Sequence, residues 1–205
     1  MTASQPLRIG VFGGSFDPPH LGHRALADTA LRTLALDELR WLPAGRPWQK
    51  SDRVLTDATH RRAMVALAID GEARFVLDDR ELRRSGPSYT IDTVRELQAE
   101  QPGAALFLVI GQDQYARLHT WRAWRALLAD VTLAVAAREG QAPVPDAEIA
   151  GTPHRLEVLP MPRIDVSATA IRHAAAAGTG LHALVAPAVA GYIAHHHLYR
   201  KDAAH

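Results

Sequence analysis

Residues 7–12 read Leu-Arg-Ile-Gly-Val-Phe and run without a break into Gly13-Gly14-Ser15-Phe16-Asp17-Pro18-Pro19-His20-Leu21-Gly22-His23. A short apolar run is followed by two glycines, and ALADTALRTLAL at 25–36 then sets Leu and Ala at helical spacing. The stretch reads as strand, glycine turn and helix start, the opening unit of an α/β fold. Adjacent glycines let backbone amides approach a bound group closely, and a helix N-terminus adds N–H donors and the positive end of its dipole. Such a place suits a phosphate. The loop is not a P-loop, since no Gly-Lys-Ser/Thr follows, and it lacks the GxGxxG dinucleotide fingerprint. It carries instead His20 and His23, three residues apart and so on one side of a first helical turn. A histidine pair alone is commonly a surface feature, and as a catalytic zinc site it falls one ligand short of the usual three. The glycine turn beside it favours phosphate over both.

The same alternation recurs along the chain. Short β-rich runs stand at 38–42 (ELRWL), 73–77 (ARFVL), 105–110 (ALFLVI), 131–136 (VTLAVA) and 154–159 (HRLEVL). Between them, 56–69, 90–100 and 168–177 carry Ala, Leu, Val and Ile at helical spacing, with Ser167 a plausible N-cap and Gly178 a plausible stop. Strands alternating with helices predict a Rossmann-like, doubly wound, mainly parallel sheet with helices on both faces. The runs at 105–110 and 131–136 do not alternate with polar residues, as expected of strands covered on both sides, and are expected at the sheet centre. Residues 138–153, rich in Gly, Pro and polar side chains, are expected to be the least structured. An open parallel sheet binds ligands beyond the carboxyl ends of its strands, so the loops there must carry the chemistry.

Composition narrows the classes. The chain has 205 residues, 47% of them hydrophobic, enough for one core and cramped for two, so a single domain over 1–205 is expected. Without cysteine it forms neither a disulfide nor a thiolate zinc site, which fits a cytoplasmic setting. The segment MTASQPLRIGVF lacks the basic end and long apolar run of a secretory signal, and no later stretch reaches the roughly 18 apolar residues of a membrane span. Lys and Arg number 23 against 22 for Asp and Glu, without the basic excess of a general nucleic-acid binder. Neither nucleic acid nor membrane is expected as a partner, and any anion site must be a local cluster. A homo-oligomer is compatible with the sequence, which carries no signature for or against one.

GGSFDPPHLGH at 13–23 resembles the signature loop of the bacterial nicotinate-nucleotide adenylyltransferases, members of the nucleotidyltransferase superfamily marked by an HxGH motif. The resemblance continues along nearly the whole chain. PAGRPWQK at 43–50 looks like that family's proline-rich loop ending in Lys50, and RRAM at 61–64 fits its next helix. ELRRSGPSYTIDT at 81–93 is similar to its second motif. IGQDQYARLHTW at 110–121 resembles its Gly-x-Asp segment, with Trp121 eight residues after Asp113. SATAIR at 167–172 is similar to its Ser-Ser-Thr-x-x-Arg helix start, and YIAHHHLY at 192–199 to its C-terminal helix and tail. Two departures stand out. Trp48 and Gln49 precede Lys50 where the family often has Pro-Pro-His-Lys, and Ala168 replaces the second Ser. The histidines at 195–197 read as a polar helix end, since no acidic or cysteine partner is near in sequence.

What the resemblance implies is transfer of AMP from ATP to a pyridine mononucleotide, with release of pyrophosphate. A phosphate nucleophile is already ionised at neutral pH, so no general base is needed, and positioning and charge stabilisation should dominate. By resemblance, His20 and His23 would meet the ATP phosphates, while Gly13, Gly14, Ser15 and Phe16 would hold neighbouring oxygens. Lys50 and Arg172 would grip the β and γ phosphates with Ser167, Thr169 and the amides of that helix start. Gly111 and Asp113 would face the ribose, Asp113 having a helix N-cap as its plainer role, and Arg138 would lie on the adenosine side. Trp121 would stack on the pyridine, with Thr90 presenting backbone N–H. Mg2+ is expected with the ATP phosphates, and no carboxylate cluster is dedicated to it. Asp17 would face the metal's water shell or, as is commoner in such a turn, its own backbone. Arg83 and Arg84 read as solvated. The expected acceptor is nicotinate mononucleotide, giving nicotinate adenine dinucleotide in NAD biosynthesis.

Three alternatives remain open on the residues alone. A phosphopantetheine adenylyltransferase would use a similar loop with Thr in place of the first histidine in a shorter chain, and His20 and SYTIDT argue against it. Nicotinamide mononucleotide is a second acceptor. A non-catalytic nucleotide-binding module would not require His20, His23, Lys50 and Arg172 together.

Overall fold

The structure, a computed structural model, describes residues 5–45, 55–138, 140–162 and 164–200. Among these, six strands form one sheet: β1 (Arg8–Gly14), β2 (Glu38–Pro43), β3 (Phe75–Leu77), β4 (Ala105–Gly111), β5 (Thr132–Arg138) and β6 (Arg155–Met161). All neighbours pair parallel, in the order β3-β2-β1-β4-β5-β6. All six runs picked from sequence are strands. The chain winds outward from β1 through β2 to β3, then crosses back to β4 and winds the other way. The reversal falls between β1 and β4, and such a switch point opens a crevice at the carboxyl ends of the two strands. The centre is therefore the pair β1 and β4, not β4 and β5 as expected. Gly10, Gly13 and Gly14 thin the apolar signal of β1, which hid its central place.

Each face of the sheet is covered. Alternate side chains Ile9, Val11, Leu106, Leu108, Ile110, Leu133 and Val135 meet α4 (Thr90–Glu100) and α6 (Trp124–Asp130). Phe12, Phe107, Val109 and Ala134 point the other way, to α1 (Leu21–Thr33) and α2 (Ala58–Ile69). Leu108, 2% exposed, is a representative anchor: truncation to Ala would cost about 2–5 kcal/mol. The remaining helices are α3 (Arg80–Arg83), α5 (Gln112–Tyr115), α7 (Ala147–Ala150), α8 (Ala168–Ala176) and α9 (Pro187–His195). The last two build a further apolar layer on α2 around Met64, Ile171, Val189 and Ile193. Ser167 caps α8 as expected, its Oγ accepting from the Ala170 N–H at 3.2 Å, and Gly178 ends that region at φ +68°. The stretch 138–153 holds more order than expected, since β5 runs through Arg138 and α7 lies within it.

Candidate active site

The loop after β1 is not the glycine turn that the sequence suggested. Gly13 and Gly14 belong to the strand and pair in register with Leu42 and Pro43. The chain turns afterwards, with Phe16 rather than a glycine at positive φ (44°). The glycines act through space instead: a Cβ on Gly13 would meet nothing within 4 Å, and the same holds for Gly111 at the end of β4. Both strands of the switch point thus end in residues that leave room for a ligand. Phe16 is 1% exposed and packs edge-on against Phe12 and His23, so its side chain anchors the loop and lines neither cleft.

His20 occupies the N-cap of α1 and His23 its third position, and the two rings stack with centroids 3.7 Å apart. The shared face foreseen from their spacing is present. The His20 N–H donates to His23 Nδ1 at 3.2 Å, so the proton of a neutral His23 ring sits on Nε2. Burial lowers the His20 pKa to about 4, and its Nδ1 is buried without a partner. At neutral pH His20 is an uncharged donor rather than a cation. Gly22 has a local reason: a Cβ there would lie 3.1 Å from the His20 ring.

Two clefts flank the end of β1. The wider one is lined by His20, His23, Gly111, Asp113 and Ile164, and it continues along Ala136 to Arg138. The narrower is lined by Leu42, Glu81, Ser88, Thr90, Ile110 and Trp121. Gly13, Gly14, Ser15 and Gln114 line both. Asp113 is exposed inside the first turn of α5, whose N-cap is Gly111, so the capping role is not the one it takes. Trp121 is half-buried with its indole N–H unpartnered. Thr90 opens α4, which has no side-chain cap, so the helix presents backbone donors to the narrow cleft.

Arg172 comes to the same place from α8. Its guanidinium donates to the Asp17 carbonyl at 2.8 Å and to Thr169 Oγ1 at 2.9 Å, beside exposed Ser167. Asp17 is 1% exposed and faces inward: its carboxylate accepts from the Tyr199 hydroxyl at 2.8 Å and from the Thr56 N–H at 3.4 Å. These described bonds of the Asp17 carboxylate run to Tyr199 and Thr56 rather than to its own turn. Arg84 is also not solvated, since it donates to Thr93 Oγ1 at 3.2 Å and to Glu96 at 2.8 Å, whereas Arg83 remains exposed beside Asp79. Lys50, with Trp48 and Gln49, lies outside the described residues.

Sequence reasoning missed two buried charged residues. Arg61, 2% exposed, donates to the carbonyls of Ser15, Ala44 and Thr56 at 2.7–3.0 Å and so ties the loops after β1 and β2 to α2. Burial pulls its pKa down, against the nearby Asp17 charge. Glu81 accepts from the Thr93 hydroxyl at 2.8 Å, and burial pushes its carboxyl above the usual range. Both head segments that carry the resemblance, RRAM at 61–64 and ELRRSGPSYTIDT at 81–93, but nothing in those segments gave either residue a role. Among the described residues no group of three or more His, Cys, Asp or Glu side chains could hold a metal ion, and no helix is long and apolar enough to cross a membrane.

The cytidylyltransferase-like family model matches residues 11–174. The chain is 58% identical over 203 residues to a protein of Methylibium petroleiphilum named probable nicotinate-nucleotide adenylyltransferase, covering 97% of this chain and 95% of that one. A protein of the same name from Albidiferax ferrireducens is 48% identical, over 94% and 98%. The fold is also that of a solved structure of Plasmodium falciparum nicotinic acid mononucleotide adenylyltransferase complexed with NaAD. The TM-score is 0.78 at 19% identity, covering 94% of this chain and 97% of that chain.

Proposed function

Since the chain belongs to the nicotinate-nucleotide adenylyltransferases of the cytidylyltransferase-like family, we propose that it joins nicotinate mononucleotide to the AMP part of ATP through the two clefts at the end of β1. ATP takes the wider cleft and the mononucleotide the narrower. The observation that carries this is their shared wall of Gly13, Gly14, Ser15 and Gln114, where two phosphates can meet. A phosphate oxygen of the mononucleotide attacks the α-phosphorus of ATP, the bond to the β-phosphate oxygen breaks, and pyrophosphate leaves with the electron pair. No proton need move.

The residues then fall into roles. His23 Nε2–H and the neutral His20 ring donate to oxygens around the α-phosphorus as negative charge crowds there. Backbone at Gly13–Ser15 supports them, with Phe16 as the buried anchor of that loop. Arg172, Thr169, Ser167 and the N-terminus of α8 hold the outer phosphates, joined by Lys50. Asp113 accepts from ribose hydroxyls next to Gly111, and Arg138 lies along the adenosine. Mg2+ would enter with the ATP substrate, where it would offset the charge of the phosphates beside Arg172 and the histidines.

In the narrow cleft Trp121 stacks on the pyridine, and the α4 N-terminus at Thr90 meets the ring carboxylate with donors and a favourable dipole. The amide analogue would set its NH2 against those donors. Burial biases Glu81 toward its neutral form, which limits repulsion of an acidic ring. The reaction serves NAD biosynthesis in the cytoplasm, as one catalytic domain over 1–205, without nucleic acid or membrane as partner. The test is pyrophosphate and dinucleotide release from ATP and Mg2+ with nicotinate mononucleotide, with phosphopantetheine in parallel. Product with the first alone is the expected result, and product with neither would return the chain to a binding role.

A further inference from the structure

After α9 the chain reverses. His197 and Tyr199 both sit at positive φ, 52° and 65°, a region that non-glycine residues enter only when their surroundings over-determine it. The surroundings here are apolar on one side and polar at one point. Leu198 and Tyr199 pack on the layer of Met64, Ile171 and Ile193, while the Tyr199 hydroxyl reaches Asp17 Oδ1 at 2.8 Å, 182 residues away in sequence. Burial, with the Asp17 charge beside it, pushes the phenol far above its ordinary range, so it stays protonated and donates.

Asp17 is the meeting point of three segments. Its carboxylate takes the tyrosine hydroxyl and the Thr56 N–H, and its carbonyl takes Arg172. It stands three residues before His20 in the loop whose Ser15 carbonyl is held by Arg61. We propose that Tyr199 is a positioning residue for the adenylyl transfer, its hydroxyl fixing Asp17 so that the Asp17 carbonyl holds the Arg172 guanidinium toward the outer phosphates. The inference rests on the assignment of Arg172 given above. Tyr199 lines neither cleft; it holds the C-terminal tail against the loop after β1 and acts through one backbone carbonyl.

The test is a double-mutant cycle of Tyr199→Phe and Arg172→Ala, read as KM for pyrophosphate in the reverse reaction, KM for the mononucleotide, and kcat. Tyr199→Phe keeps the ring and its packing. It is expected to raise the pyrophosphate KM and lower kcat, each roughly three- to tenfold, as loss of a hydrogen bond to a buried carboxylate allows, with the mononucleotide KM unchanged. In the Arg172→Ala background the same change should be nearly silent, a non-additivity of at least about threefold. Equal effects on both substrates, additive effects, or a lowered Tm with wild-type kinetics would overturn the proposal. Arg172→Ala alone with unchanged pyrophosphate KM would instead overturn the phosphate assignment, so the two failures are distinct. Should Tyr199→Phe not fold, Asp17→Asn probes the same hub, since it removes the carboxylate charge and leaves one oxygen acceptor for the two donors, the Tyr199 hydroxyl and the Thr56 N–H. It is expected to give the same KM split, and wild-type pyrophosphate KM would sink the proposal.

Discussion

On one side of the β1 terminus stand two stacked imidazoles, an exposed aspartate and, further out, an arginine; on the other stand an indole, an uncapped helix start and a wall of Leu and Ile. The first cleft is arranged to act on charge, the second to select shape. His20 is held neutral by burial, and the guanidinium of Arg172 comes from α8, where it donates to the Asp17 carbonyl. On the assignment proposed above, the difference would be that the transferring phosphorus is met by aligned N–H donors, while full positive charge is kept for the phosphates that leave.

If that division holds, variants on the two sides must separate in kinetics. His23→Ala should have the largest effect, lowering turnover by about 10²- to 10³-fold, as loss of one aligned donor does, with little change in mononucleotide KM. His20→Ala should follow in the same direction and less severely. Steady-state kinetics with both substrates varied checks this, and wild-type turnover in both variants would dissolve the contrast. Arg172→Ala should raise the pyrophosphate KM of the reverse reaction roughly tenfold or more, the value of a charge-assisted bond, and leave the pyridine side untouched. Trp121→Ala should do the reverse, costing roughly tenfold in kcat/KM for the mononucleotide through lost stacking while the ATP KM stays near wild type.

The last effect is on stability rather than on rate. His20 has a native pKa of about 4 against 6.5 when unfolded. Between those values the unfolded chain binds a proton that the native chain refuses, so this contribution is full above about pH 6.5 and is lost as pH falls, at up to about 1.4 kcal/mol per pH unit. Thermal melts from pH 7 down to 4.5 should show a steeper loss for the wild type than for His20→Asn. Parallel curves would mean that the imidazole is less desolvated than its setting implies.

Legibility in the sequence followed the range of the interactions. The strand at 7–12, the helix start after it and the same-side placement of His20 and His23 depend on residues within a few positions, and all are present. β4 and β5 were readable because covered parallel strands need unbroken apolar runs, whereas the largely exposed β6 was readable only from its β-rich composition. The rank of β1 in the sheet was not, because Gly10, against which Leu36 and Leu39 pack, and the cleft-lining Gly13 and Gly14 dilute the pattern. Gly13 was rightly marked, but for a turn it does not make. Asp17, Arg61 and Tyr199 were illegible as a group, since their contacts join segments up to 182 residues apart and no local pattern records such a meeting. The neutral state of His20 and the bonded state of Arg84 likewise depend on burial and partners, which residue type alone does not carry.

The central claim is that the narrow cleft admits the acid form of the pyridine mononucleotide, and it is tested most directly by kcat/KM for nicotinate and nicotinamide mononucleotide at one ATP and Mg2+ concentration. N–H groups at the α4 N-terminus would donate to two carboxylate oxygens but oppose an NH2 group, a mismatch of about 1–3 kcal/mol. The account therefore predicts a preference for the acid of about tenfold to hundredfold. Equal values, or a preference for the amide, would contradict it.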